Sequence, residues 1–264
     1  SETRIALQDT EEFPSLPNVE GGVELSLSAE ALATALTHVS YCASSSTIKP
    51  ELASVFVHPD GSTLVAVATD SFRLAEKRVP LKQPVTAEPF LIPARSVHDL
   101  LRVLERVRGT VTLCVGEHQL SVEEKGTYLT LRLTQGTFPD YAQIIPKEFV
   151  VEATMLAADL ERVLKKASAF SDQFNQTTTS IDPKKNVCMI HTENTAVGET
   201  TDTVPATVEG EALTIRFNQR YLLDALHPIH TDSLVLQCSG QSTPALIRPI
   251  GDESFLYLVM PMNR

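Results

Sequence analysis

The sequence predicts an α+β fold: a duplicated domain, each copy with two helices on one face of antiparallel β-sheets. One observation is a repeat. A shift of about 125 residues, far longer than a solenoid period, brings four features into register. Ala29 to Ala43 falls on Ala157 to Ser171, and the run ending at Thr69-Asp70 falls on the one ending at Thr192-Glu193. Val79-Pro80 falls on Val204-Pro205, and Val111-Thr112-Leu113 on Leu234-Val235-Leu236. A second observation is punctuation, because Phe138-Pro139-Asp140-Tyr141 repeats Phe13-Pro14-Ser15-Leu16. A third is the order strand, helix, three strands, which occurs twice within each copy. The expected domains are therefore 13–137 and 138–264. Residues 1–12 read as the last strand of an earlier copy, since Thr3-Arg4-Ile5-Ala6-Leu7 alternates like a strand, so the chain is expected to be truncated.

In the first copy Val23 to Leu27 alternates as a strand, and Ser28 is placed to cap a helix over 29–43. Leu32, Ala35, Leu36 and Val39 give that helix one apolar stripe. Leu52 to Val57 and Leu64 to Thr69 are strands joined at Pro59-Asp60-Gly61, and a further strand reaches Val79-Pro80. Phe90-Leu91-Ile92-Pro93 leads into a helix over 94–108, with Val97, Leu100, Leu101 and Leu104 inward and Arg95, Arg102 and Arg106 outward. Val111 to Val115, Gln119 to Glu123 and Tyr128 to Leu133 close the domain. In the second copy a helix over 155–170 turns Leu156, Leu160, Val163, Leu164 and Ala167 inward and Arg162, Lys165 and Lys166 outward. A shorter helix starts at Asn218 and carries Tyr221 and Leu222. The end, Phe255 to Met262, is apolar at seven of its eight positions where a solvent-facing strand alternates. Either both its faces are covered, or it is a binding surface.

Composition narrows the function. Over 264 residues, 42% are hydrophobic and 21% charged, a globular balance, and no stretch reaches the length of a membrane helix. Cysteines 42, 114, 188 and 238 form no Cys-x-x-Cys pair and no zinc pattern, which fits reduced thiols in the cytoplasm and no metal. The seven histidines are scattered, and no phosphate loop or Ser, His and acid motif appears. No catalytic residues and no cofactor are expected. A net charge of −11 argues against a DNA binder held by a basic surface.

Three segments resemble the bacterial DNA polymerase III beta subunit, the replication sliding-clamp family. They are Ala68-Thr69-Asp70-Ser71-Phe72-Arg73-Leu74-Ala75, then Phe138-Pro139-Asp140-Tyr141 with Ile144-Ile145-Pro146, and finally Val259-Met260-Pro261-Met262. They occur in the family's order on a duplicated domain and match its second and third domains. The resemblance implies a head-to-tail ring around duplex DNA, a homodimer in the full-length protein, which resolves the charge paradox because encircled DNA is held by topology. The predicted helices (29–43, 94–108, 155–170, 218–227) carry eight Lys or Arg against six Asp or Glu, leaving −13 elsewhere. Arg95, Arg102, Arg106, Arg162, Lys165, Lys166 and Arg220 would face DNA, weakly enough to slide.

The resemblance also implies a hydrophobic cleft that takes short linear peptides from polymerase, clamp loader and repair proteins. The family's ligand pattern is a glutamine with two spaced hydrophobics. By position the cleft would use Thr69, Ser71, Phe72, Arg73, Leu74, Pro139 and Ile144. Asn218, Tyr221, Pro244, Leu258, Val259, Met260, Pro261 and Met262 would join from the last domain, with Lys49 and Leu52 at the rim. Arg73 and Asn218 would hold the peptide's polar atoms. Three positions depart from the family pattern: Phe72 for a histidine or tyrosine, Gln143 for a basic residue and Asn263 for an arginine. Phe170 falls at a subunit-interface position and is expected to be partly exposed; the truncated chain would be a monomer or a non-ring dimer. A rival reading is a scaffolding module of repeated α+β domains that never encircles DNA.

Overall fold

The computed structural model describes residues 2–6, 18–19 and 21–262. Phe13-Pro14-Ser15-Leu16 and Asn263 lie outside these residues. The first half runs β1 (Val23–Ser28), α1 (Ala29–Ser40), β2 (Ser54–Asp60), β3 (Thr63–Thr69), β4 (Arg73–Pro80), β5 (Phe90–Pro93), α2 (Ala94–Leu104), β6 (Thr110–Val115), β7 (Gln119–Glu124) and β8 (Thr127–Arg132). The second repeats it element for element: β9 (Val151–Leu156), α3 (Ala157–Ala167), β10 (Gln176–Asp182), β11 (Val187–Asn194), β12 (Gly198–Gly210), β13 (Leu213–Asn218), α4 (Gln219–Asp224), β14 (Ser233–Cys238), β15 (Ala245–Pro249) and β16 (Phe255–Val259).

Local chemistry sets the helix ends. Ser28 is extended and its Oγ accepts the Ala31 N–H at 3.1 Å, so α1 starts where its cap predicts. It stops at Ser40 rather than Ala43, because the Cys42 and Ala43 amides turn back three residues to Val39 and Ser40. In the same way α2 ends at Leu104, short of Arg108, where Arg106 and Val107 bond Val103 and Leu104. The third helix starts at Ala157, and Leu156 is 51% exposed instead of inward. It is the last residue of β9, and alternation turns Val151, Ala153 and Met155 to the core and Leu156 away. Asn218 caps α4 as expected, accepting the Arg220 N–H at 3.0 Å.

Strand ends moved for comparable reasons. Leu52 and Ala53 form a turn on the Lys49 carbonyl, so β2 begins at Ser54 and runs through Asp60 before turning at Gly61, whose φ is +62°. The terminal strand stops at Val259, since the Met260 and Met262 amides leave the ladder for the carbonyls of Phe72 and Arg216. Residues 3–6 carry no strand, contrary to the reading of the first segment; Leu7 lies outside the described residues.

Two sheets result. One has the order β1-β6-β7-β8, and a twelve-stranded one runs β13-β10-β11-β12-β9-β14-β15-β16-β4-β3-β2-β5. The larger sheet crosses from one half to the other where β16 pairs antiparallel with β4, from Phe255↔Lys77 to Val259↔Arg73. Alternation then gives each strand two destinations. Ala75, Ile247, Tyr257 and Val259 join the main core with the buried stripes of all four helices. Leu74, Leu246 and Leu258 join a smaller cluster on the opposite face, covered by Phe138, Tyr141, Ile145 and Phe149 of the segment between the halves. A fully buried leucine contributes about 2 kcal/mol, so both clusters hold the junction.

Candidate peptide cleft and nucleic-acid face

The turn from Thr69 to Leu74 is built by its own polar side chains. Thr69 Oγ1 accepts the Ser71 N–H at 3.1 Å and donates to the Arg73 carbonyl at 2.6 Å. Asp70 Oδ1 accepts the amides of Phe72 at 2.9 Å and Arg73 at 3.0 Å. These bonds hold Ser71 at a φ of +77°, an unusual value for a residue with a Cβ. The turn projects Phe72, 61% exposed, while its carbonyl accepts the Met260 N–H at 2.8 Å. Below it Leu74 and Leu258 stand directly opposite one another, both buried. Leu74, which the resemblance puts in the cleft, is thus fully covered.

Strand parity divides the predicted cleft set. On the outer face lie Leu52, Leu74, Leu258 and Met260, in one apolar cluster. Pro139 and Ile144 are exposed, Pro244, Pro261 and Met262 are half-buried, and Lys49 is exposed at the expected rim. Val259 belongs to the helix-side core, so it lines no outer groove. Arg73 also points to the helix side. Its Nε donates to Asp70 Oδ2 at 3.0 Å, Nη1 to the Asp224 carboxylate, and Nη2 to the Tyr41 carbonyl at 2.9 Å. The Tyr221 ring stacks 4.5 Å from the guanidinium, leaving the side chain 13% exposed. The expected role of Arg73 in holding peptide atoms does not fit this saturation. Asn218 is used as the α4 cap. Gln143 donates to Asp140 at 2.6 Å.

A second ion pair closes the other end of the junction. Lys77 Nζ reaches Asp252 at 3.2 Å and Ser254 Oγ at 2.6 Å. Beside it His38 of α1 lies edge-on to Phe255 and 5.7 Å from the His230 ring. Burial first, then Lys77 and His230, lowers the His38 pKa to about 4. Asp224, Tyr41, His38 and Asp252 were not singled out in the sequence, because each acts across more than 30 residues or at a helix end without a motif.

All seven predicted helix cations are exposed. Arg162 pairs with Asp159, Lys165 with Glu161 and Lys166 with Asp202, which screens α3. Arg95, Arg102, Arg106 and Arg220 make no ion pair among the described residues. The free positive charge is therefore on α2, the turn after it, and α4. Phe170 ends the 3-10 turn Ser168–Phe170 half-buried, its ring against Gly198. The cysteines are free, and burial pushes the Cys188 and Cys238 thiols up to about 12, so neither is reactive at neutral pH. His191, Glu193 and Glu199 come within 4.8 Å on the outer face of β11 and β12, which their sequence spacing did not reveal.

A twice-built α+β unit, with its helices on one face of a sheet that runs through both halves, defines a clamp-type protein. The family model for the DNA polymerase III beta subunit central domain matches residues 26–140, and that for its C-terminal domain matches 142–263. The chain belongs to the DNA polymerase III beta subunit family, the beta sliding clamps. It is 34% identical over 264 residues to the beta sliding clamp of Synechococcus elongatus, covering 96% of this chain and 69% of that one. The Streptococcus pneumoniae beta sliding clamp is 26% identical over 266 residues, covering 100% and 70%. The fold superposes on the Bacillus subtilis sliding clamp with a TM-score of 0.91 at 26% identity, over 97% of this chain and 68% of that one. The Thermotoga maritima beta subunit gives 0.91 at 25%, over 97% and 70%. The chain is thus a processivity clamp, a non-catalytic factor in DNA replication. Among the described residues no helix is long and apolar enough to cross a membrane.

Proposed function

We propose that this chain supplies two domains, 13–137 and 138–264, to a head-to-tail homodimeric ring that encircles duplex DNA in the bacterial cytoplasm. The observation that carries this reading is the segregation of faces: among the described residues every helix packs on one side of the sheets, and α2 with the turn after it, α3 and α4 turn their Arg and Lys side chains to solvent, while α1 carries neither. Contacts through Arg95, Arg102, Arg106 and Arg220 are few, which suits sliding, since many phosphate contacts would pin the protein. On the outer face the junction of Phe72, Ile144, Met260 and Met262 over Leu74 and Leu258 takes a short peptide from polymerase, clamp loader or repair proteins. Met and Pro give that floor an adaptable apolar surface. Phe170, half-buried at the far end of α3, meets the neighbouring subunit; Phe170→Ser should lower the assembled mass measured by light scattering.

The test of encirclement is retention of the assembled protein on nicked circular against linearised duplex. A ring stays on the circle and runs off the linear ends, at a salt concentration that abolishes simple adhesion. Equal retention on both would contradict encirclement and favour the scaffolding module.

A further inference from the structure

Arg73 is the most heavily engaged charged side chain at the junction, and its partners come from both halves. Asp70 and the Tyr41 carbonyl belong to the first half, Asp224 and the Tyr221 ring to the second. Only a planar fork reaches two carboxylates and a carbonyl while lying under an aromatic ring; an ammonium cannot. We infer that Arg73 ties the two walls of the cleft together and sets their spacing, as a positioning residue and not a peptide contact. The inference rests on the cleft reading above.

The bond network shows how the tie reaches both walls. On one side, Asp70 accepts from Arg73 and also fixes the Phe72 amide, so the tie and the exposed aromatic share one carboxylate. On the other, Asp224 sits on α4, which follows β13 directly, and β13 supplies the Arg216 carbonyl that accepts the Met262 N–H at 2.8 Å. Between them, the Met260 N–H donates to Phe72. Freeing Asp224 therefore loosens the tail that lines the cleft and its link to the turn. Because the guanidinium is saturated, acidic residues of a peptide are not read there.

The test uses the full chain and a fluorescein-labelled peptide with a glutamine and two spaced hydrophobics, in versions with and without an acidic residue. Dissociation constants are measured by anisotropy for the native chain, Arg73→Gln, Asp224→Asn and the double variant, with amide exchange of Met260 followed by mass spectrometry or NMR. Each single change should weaken binding about tenfold, the double no further, because both remove one coupled interaction. The loss should be the same for both peptides, and Met260 should exchange faster in Asp224→Asn, which is isosteric and keeps the fold. Native affinity in Asp224→Asn together with a loss in Arg73→Gln confined to the acidic peptide would overturn the tie in favour of direct contact. If the native chain binds neither peptide, the cleft reading fails, and Met260 exchange still decides: an unchanged rate in Asp224→Asn would refute the tie.

Discussion

His38 shows how a single residue reports on the junction. It is 9% exposed, its Nδ1 has no partner, and Lys77 and His230 both oppose its protonation while Asp252 only partly offsets them. The folded chain therefore keeps the ring neutral down to about pH 4, whereas the unfolded chain takes up the proton from about 6.5. For a base held neutral, the stabilisation is complete above about pH 6.5 and is lost as the pH falls toward 4. The melting temperature should fall across that window, and His38→Phe should flatten the fall. An identical pH profile in the variant would mean that the ring titrates freely. Nothing in the sequence marked His38, since a histidine on a helix stripe reads as ordinary packing until the partner half is in place. Ser28 and Asn218, by contrast, were legible because a cap acts within three residues.

At the scale of elements, residues 3–6 do not form the strand expected of them, whereas the starts of α1 and α4 and the strands β1 to β4 and β6 to β8 followed from local pattern. Helix ends did not, since α1 and α2 close in 3-10 turns that their apolar stripes run straight through. Strand partners were less legible still, because alternation says which face a residue takes and not which strand lies beside it. The choice of β4 by β16, which builds the junction, is of that kind. One glycine carries such a constraint at the β12 to β9 edge. Gly210 has a φ of +104°, and a Cβ there would stand 2.1 Å from the Val150 carbonyl oxygen. Gly210→Ala should cost about 2 kcal/mol or more, read as a lowered melting temperature; an unchanged one would show that the β12 end yields freely. The helices differ in a testable way too. Since Lys166 is paired with Asp202 and Arg102 is not, Arg102→Glu should weaken duplex binding more than Lys166→Glu does. It should also flatten the salt slope by about one unit. Equal effects would place the duplex elsewhere.

For the whole molecule, the duplication was legible in the sequence and recurs element for element. The residues expected of the cleft were legible only as a list, and the sheet distributes them by parity. Parity sends Leu74 and Leu258 outward beneath the surface and Arg73 and Val259 to the helix side. The two sets meet only where the ladder ends, at Phe72 and Met260. The last residues thus leave the sheet to line the junction, with Met260 on the turn and Met262 on β13. The most direct measurement is peptide binding by the intact chain and by one lacking Met260 to Arg264, using the peptide with a glutamine and two spaced hydrophobics. Loss of most of the affinity in the shortened chain, with its melting temperature nearly unchanged, is the predicted result. Equal affinity in the two chains would contradict a peptide cleft at this junction.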